Sequence, residues 1–171
     1  KVSDFYKSKF EVNIVEKTSE ILNNSKIFNR EEAEKTIAKK NINLMKNYSV
    51  VEINDQQILL SNNLNQVEKF PYFDVIWTAG IKPNLPEFKQ QIQKINNKIL
   101  INNNLQLNDY PNIFVLGDIS QVESNNSYPV TAQVAMQQGE HVALNLKLLI
   151  NNEKLLPFKF KDNGEMMSLG I

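Results

Sequence analysis

Residues 112–118, NIFVLGD, form an apolar run that ends on a glycine and a bare carboxylate, and residues 128–141, YPVTAQVAMQQGEH, follow with a proline and then amides among small residues. A short, almost wholly apolar strand suits a parallel sheet, whose strands are covered on both faces. Asn112–Leu116 is therefore expected to be a buried parallel strand, and Thr131–Leu149 the longest helix, with Pro129 near its first position. Ligands of open α/β sheets bind beyond the carboxyl ends of the strands. There Gly117 lets a backbone come close, and Asp118 either accepts hydrogen bonds from polyol hydroxyls or caps the next turn. The helix start carries partial positive charge. Gln133 and Gln137, four apart, share a face, while Ala132, Ala135 and Gly139 leave room beside it. Two such amides either hold a planar, carbonyl-rich ligand or form a solvated polar face.

Working toward the amino terminus, Phe73–Thr78 reads as a strand that turns out through Ala79-Gly80 and Lys82-Pro83-Asn84. A strand running into Ala-Gly suits a backbone approaching a ligand, and it equally suits a plain tight turn. Phe10–Val15 alternates as a strand ending at Glu16. Arg30–Lys40 reads as a helix capped by Ser25 or Asn29, with Glu31 and Glu32 in its first turn. Ile42–Met45 is a short strand, and Tyr48–Ile53 and Gln57–Ser61 form a hairpin around Asn54-Asp55. Pro86–Lys94 reads as a short helix, and Lys98–Ile101 and Leu105–Leu107 as small strands around an Asn-rich turn. Asn125-Asn126 reads as a loop, Val2–Lys9 as the rear of a helix, and Pro157–Lys161 as a strand opening a further unit. Strands alternating with helices make the chain α/β.

Glu16 has two readings. It is an ordinary surface residue, or it is the acidic strand end of a dinucleotide-binding βαβ unit, whose carboxylate takes the ribose hydroxyls and repels a 2′-phosphate. The glycine loop of such a unit lies ~20 residues upstream, which places it before Lys1. The chain has 171 residues and begins with Lys rather than Met, so it is expected to be an internal piece of a longer protein. Nineteen basic and nineteen acidic residues cancel, which argues against a nucleic-acid partner. With no cysteine and one histidine, disulfide and thiolate chemistry are excluded within these residues and a metal cluster is not expected. His141 has no partner in the sequence and is given no role. No apolar run is long enough to span a membrane, and no signal peptide is visible.

In this order and spacing, VIWTAGIKPN, LQLNDYPNIFVLGDIS, YPVTAQVAMQQGEHVALNLK and PFKFKDNGEMMSLG resemble the carboxyl-terminal half of type II NADH dehydrogenases. These belong to the flavoprotein superfamily with two dinucleotide-binding, Rossmann-like domains. The resemblance implies part of such a fold, incomplete at both ends. Residues 1–80 would be part of the NADH-binding domain, 81–150 the returning part of the FAD-binding domain, and 151–171 the start of a membrane-associated domain. It implies FAD and NADH as cofactors, a membrane quinone as acceptor, and ping-pong hydride and electron transfer with no catalytic side chain. By position, Asp118, preceded by Gly117, matches the aspartate on the FAD ribityl chain. Ala132 and Gln133 match the helix start facing the flavin ring, Gln133 and Gln137 the pair beside the quinone, Glu16 the residue reading the NADH ribose, and Ala79 and Gly80 the turn on the nicotinamide side. Met136 stands where some members carry a histidine. The family's amphipathic membrane-surface helices would follow the chain; a peripheral position on the cytoplasmic or plastid stromal face of an energy-transducing membrane and a homodimer are implied with them. A ferredoxin, rubredoxin, disulfide or biosynthetic-quinone reductase of the same superfamily, or an inactive remnant, are the other readings.

Overall fold

The computed structural model describes residues 10–123 and 128–169. The expected helix rear at Val2–Lys9 and loop at Asn125-Asn126 lie outside them. The chain forms two compact units, one running through Trp77 and taking in the segment from Gly164, the other Thr78–Asn163.

The first unit opens with a βαβ turn of chain. Strand β1 (Asn13–Glu16), helix α1 (Ile27–Lys39) and strand β2 (Asn43–Lys46) follow in order. The strands pair in parallel, Asn13 opposite Asn43 through to Glu16 opposite Lys46. A parallel pair needs a crossover, and α1 supplies it. Helix α1 starts three residues before the expected Arg30, behind an extended Lys26 that has no side-chain cap of its own. Neither Ser25 nor Asn29 is the cap, and Glu31 and Glu32 fall beyond the first turn. The carboxylate that serves this helix end comes from far along the chain, since Glu165 Oε2 accepts the Lys26 N–H at 3.0 Å. Hydrogen bonds from the Ser25 side chain and then the Lys26 N–H hold the Glu165 carboxyl below its ordinary range. Strands β3 (Ser49–Ile53), β4 (Gln57–Ser61) and β5 (Val67–Pro71) complete the unit as an antiparallel meander. The β3–β4 hairpin is the expected one, and Asn54 Oδ1 tightens it by accepting from Gln56 and Gln57. Strand β5 was not anticipated, because Glu68 and Lys69 interrupt any alternation. The expected strand Phe73–Thr78 is irregular instead, with Phe73 85% and Ile76 84% exposed. A strand exists by pairing, and among the described residues none runs beside this one.

In the second unit, β6 (Lys94–Ile95) and β7 (Lys98–Ile101) form a hairpin over Asn96-Asn97. Both asparagines are left-handed, φ 52° and 58°, as a two-residue turn matching the twist of the strands requires. Strand β8 (Ser120–Val122) pairs with β7 in parallel, and helix α2 (Ala132–Ile150) closes the unit. Ile99, Ile101, Leu105, Leu107, Val115, Val122, Val142 and Phe158 make its core. The parallel β1–β2 and β7–β8 pairs together with the two helices make the chain α/β, as expected. Asn112–Leu116, expected as a parallel strand, has as its strand pairing a single antiparallel bridge from Phe114 to Gln106 among the described residues, while Val115 packs into the core. That bridge is also all that forms of the expected strand Leu105–Leu107. No other strand among the described residues offers the segment a parallel edge. The expected helix Pro86–Lys94 does not form: residues 86–93 are irregular and Lys94 belongs to β6. Leu85, Phe88 and Ile92 nevertheless pack against the core, so the apolar spacing was real and the periodicity misleading. A nine-residue helix is marginal by itself, and the Leu100 N–H takes the Gln93 carbonyl into the sheet. Pro157–Lys161 forms no strand; the Phe158 N–H bonds the Asn103 carbonyl, and Lys161 is held by Gln137 of α2.

Candidate functional site

The Gly117-Asp118 step sits where the chain leaves the Phe114 bridge and enters α2's neighbourhood. Leu116 is extended, Gly117 takes φ +73°, and Gly117–Ile119 form a single 3-10 turn. Only a glycine adopts that φ freely. A side chain at Gly117 would also meet Ala135 Cβ at 3.8 Å, which makes Ala135 a close neighbour. The Gly117 N–H donates to Gln138 Oε1 at 2.6 Å, and the Ser120 hydroxyl donates to the Gly117 carbonyl at 2.8 Å. Asp118 stays exposed. A cleft opens here, lined by Gly117, Asp118, Ser120, Thr131, Val134 and Gln138 among others. Helix α2 starts in its wall. Thr131, not Pro129, is the cap, and its hydroxyl accepts the Val134 N–H at 3.3 Å. Pro129 is part of the approach to the helix.

These features fit one end of a flavin nucleotide. An exposed carboxylate on a clamped turn can hold a diol, and the small residues Gly117, Ala132 and Ala135 leave no bulk beside it. The residues for its pyrophosphate end are not in the chain, whose five glycines contain no G-x-G-x-x-G.

Along the same helix the polar residues at four-residue spacing grip the backbone of the chain that follows it. Gln133 Oε1 accepts from Asn163 N at 3.2 Å. Gln137 makes a matched pair with Lys161, donating to its carbonyl at 2.8 Å and accepting from its N–H at 3.0 Å. Buried Asn145 does the same with Leu156, at 2.9 Å to the carbonyl and 3.0 Å from the N–H. His141 Nε2 lies 2.8 Å from the Leu156 carbonyl and 3.2 Å from the Asn145 amide nitrogen. The amides of Gln133 and Gln137 are thus engaged by the chain's own backbone, while Met136 between them is 68% exposed. Gln138, 1% exposed and bonded to the Gly117 N–H, is a residue at this turn that sequence reasoning left without a role. Its signal was the buried face of α2, where Val134, Gln138, Val142 and Asn145 recur at helical spacing.

Ala79 and Gly80 form a tight turn, Gly80 N–H to Thr78 carbonyl at 3.0 Å, with Gly80 at φ +78° and open space where a side chain would stand. They do not line the Gly117 cleft. In the first unit, Glu16 ends β1 at the carboxyl end of a parallel pair. Its Oε1 accepts the Thr18 N–H and the Thr18 hydroxyl, both at 2.8 Å. Those bonds, the backbone one foremost, hold the Glu16 carboxyl below its ordinary range. A carboxyl lowered in the fold adds stability above its unfolded pKa, and that stability is lost as pH falls through the folded value. At neutral pH Glu16 is a carboxylate already oriented by its own strand end. Among the described residues no cluster of His, Asp or Glu could hold a metal ion, and no helix is long and apolar enough to cross a membrane.

The first unit thus carries a parallel βαβ crossover whose first strand ends on an acid, and the second a Gly-Asp turn packed against a helix. The family model for pyridine nucleotide-disulphide oxidoreductases matches residues 3–139, and the chain belongs to that family. Within it, the chain is similar to the alternative NAD(P)H-ubiquinone oxidoreductase C1 (chloroplastic/mitochondrial) of Arabidopsis thaliana, 31% identical over 83% of this chain and 31% of that protein. It is 37% identical to the type II NADH:quinone oxidoreductase of Staphylococcus aureus over 56% of this chain and 24% of that one. The fold resembles NDH2 from Plasmodium falciparum, solved in complex with NADH, with a TM-score of 0.62 at 22% identity, covering 72% of this chain and 27% of that one. The chain spans about a third or less of the length of the curated relatives it matches.

Proposed function

We propose that the chain is part of an FAD-dependent oxidoreductase that takes electrons from NADH and delivers them to a membrane quinone. The observation that carries this is the Gly117-Asp118 turn, clamped against α2 with its carboxylate exposed, in a chain similar to enzymes named as quinone oxidoreductases. Acceptance of a hydride and onward transfer of two electrons is the chemistry FAD supplies when bound; the protein supplies position and electrostatics. Asp118 would hold ribityl hydroxyls, and Ala132 and Gln133 at the start of α2 would face the ring. Gln133 and Gln137 would flank the quinone while holding Lys161 and Asn163 as part of the same wall. Ala79 and Gly80 would lie on the nicotinamide side. In this reading residues 1–80 belong to the NADH-binding domain, 81–150 to the FAD-binding domain, and 151–171 to a third domain that meets the membrane surface and a second copy. The place of action is the cytoplasmic or stromal face of an energy-transducing membrane.

The test uses the full reading frame purified with FAD. NADH added without oxygen bleaches the flavin absorbance, a short-chain quinone restores it, and Gln133→Ala and Gln137→Ala slow the restoration. Bleaching without recovery assigns the protein to a reductase with another acceptor, such as a ferredoxin or a disulfide. No bleaching rejects the reading.

Glu16 would bind the NADH ribose hydroxyls. Glu16→Gln replaces two charge-assisted bonds by weaker ones and should lower kcat/KM for NADH by about tenfold, a loss of ~1.4 kcal/mol. It should also narrow the preference over NADPH, because the repulsion of a 2′-phosphate is gone. Unchanged kinetics with both nucleotides would remove Glu16 from the site.

A further inference from the structure

We propose that Gln138 is a positioning residue for the flavin, acting through the peptide at Gly117 to hold the Asp118 carboxylate in place. This rests on the reading of Asp118 as the ribityl partner. Gln138 lies on the buried face of α2 at 1% exposure, one residue on from the Gln137 amide that binds Lys161. Its Oε1 receives the Gly117 N–H at 2.6 Å. The carbonyl of the same residue is held from the other side by the Ser120 hydroxyl. Both polar groups of Gly117 are therefore fixed by side chains, although glycine is the residue with the widest backbone freedom.

That freedom is needed to reach φ +73°, and without the two clamps it would also let the turn wander. Asp118 is the next residue, so any rotation at Gly117 swings its carboxylate. Holding a ligand group in productive geometry tolerates only ~0.5 Å of displacement. Close packing limits the helix side of the clamp as well. Ala135 lies near Gly117, and Gly139 admits Leu116, whose Cδ1 stands 3.9 Å from where a Gly139 side chain would begin. Helix α2 thus approaches the turn closely enough for Gln138, a buried side chain, to reach its N–H directly.

The experiment is a double-mutant cycle on the full reading frame, read as FAD affinity from the quenching of free FAD fluorescence. Gln138→Met removes the acceptor at similar volume and should weaken FAD binding about tenfold, the size of one good hydrogen bond. Gln138→Glu keeps an acceptor oxygen at the same reach and, at a pH low enough to keep this buried carboxyl neutral, should restore most of that loss. In an Asp118→Ala background, Gln138→Met should have little further effect, because its influence passes through the carboxylate. Losses that simply add would mean the two act independently and would overturn the proposal, as would full affinity in Gln138→Met. If Gln138→Met does not fold, Ser120→Ala frees the Gly117 carbonyl, on the next peptide, from its side-chain clamp and is read the same way: FAD binding should weaken alone and change little further in Asp118→Ala, and unchanged affinity would overturn the proposal. A wild-type affinity in Asp118→Ala alone would instead reject the assignment of the flavin to Asp118.

Discussion

Asp118→Ala in the full reading frame should yield protein that folds but purifies nearly free of flavin. A carboxylate accepting ribityl hydroxyls makes charge-assisted bonds worth ~1.5–3 kcal/mol, so affinity should fall by roughly 10- to 100-fold. The fold itself should be spared, because Asp118 is exposed and its backbone is set by Gly117 and Ser120. Flavin absorbance per protein after gel filtration, with far-UV circular dichroism as the control for folding, checks this. Asp118→Asn should be milder than alanine, since it keeps an acceptor and loses the charge. Retention of a full complement of flavin in the alanine variant would exclude Asp118 as a ligand.

The largest effect on stability is expected at Asn145, on the buried face of α2. Asn145 is 0% exposed and answers both polar groups of Leu156. Asn145→Leu would keep the volume but leave the Leu156 N–H without an acceptor, and its carbonyl would keep only His141. Each polar group so stranded costs about 1–3 kcal/mol, and a loss of ~3 kcal/mol would lower the melting temperature by about 10 °C. Differential scanning calorimetry reads this directly. Exposed Leu146, next along the helix, serves as the control, and its alanine variant should shift the melting point far less. A drop of only a degree or two for Asn145→Leu would mean that the Leu156 segment is held by packing, not by this amide.

Much of the first unit was legible because its signals are local. The β3–β4 hairpin has an asparagine turn that tightens itself, and β1 ends on an acid whose neighbouring threonine completes the geometry. Helix α2 was placed to within a residue at each end, since its apolar face repeats over five turns and Thr131 caps it. What failed needed partners distant in sequence. Phe73–Thr78 and Asn112–Leu116 have strand composition, but composition cannot supply the neighbour that makes a strand. The start of α1 was misplaced for a related reason, because the carboxylate at its end is Glu165 and no inspection of Ser25 to Glu32 could find it. At the candidate site, Gly117, Asp118 and the two glutamines were visible as unusual residues in an apolar setting. The clamp on Gly117 was not, because it depends on which way a buried glutamine points.

Helix α2 and the segment it grips also have different rulers. Four residues of helix advance ~6 Å, and two residues of extended chain advance ~6.6 Å. Gln133 and Gln137 can therefore meet Asn163 and Lys161 on successive rungs, with a mismatch small enough for side-chain rotation to absorb. The discrepancy accumulates with each further rung, as between two scales of a vernier. Such a clip is short by construction. By His141 and Asn145 the segment has advanced five residues, from Lys161 to Leu156, and two side chains converge on that one residue. A helix can thus keep a neighbouring chain in step with its side chains only over a couple of rungs, and here those rungs fall at the residues proposed to wall the acceptor.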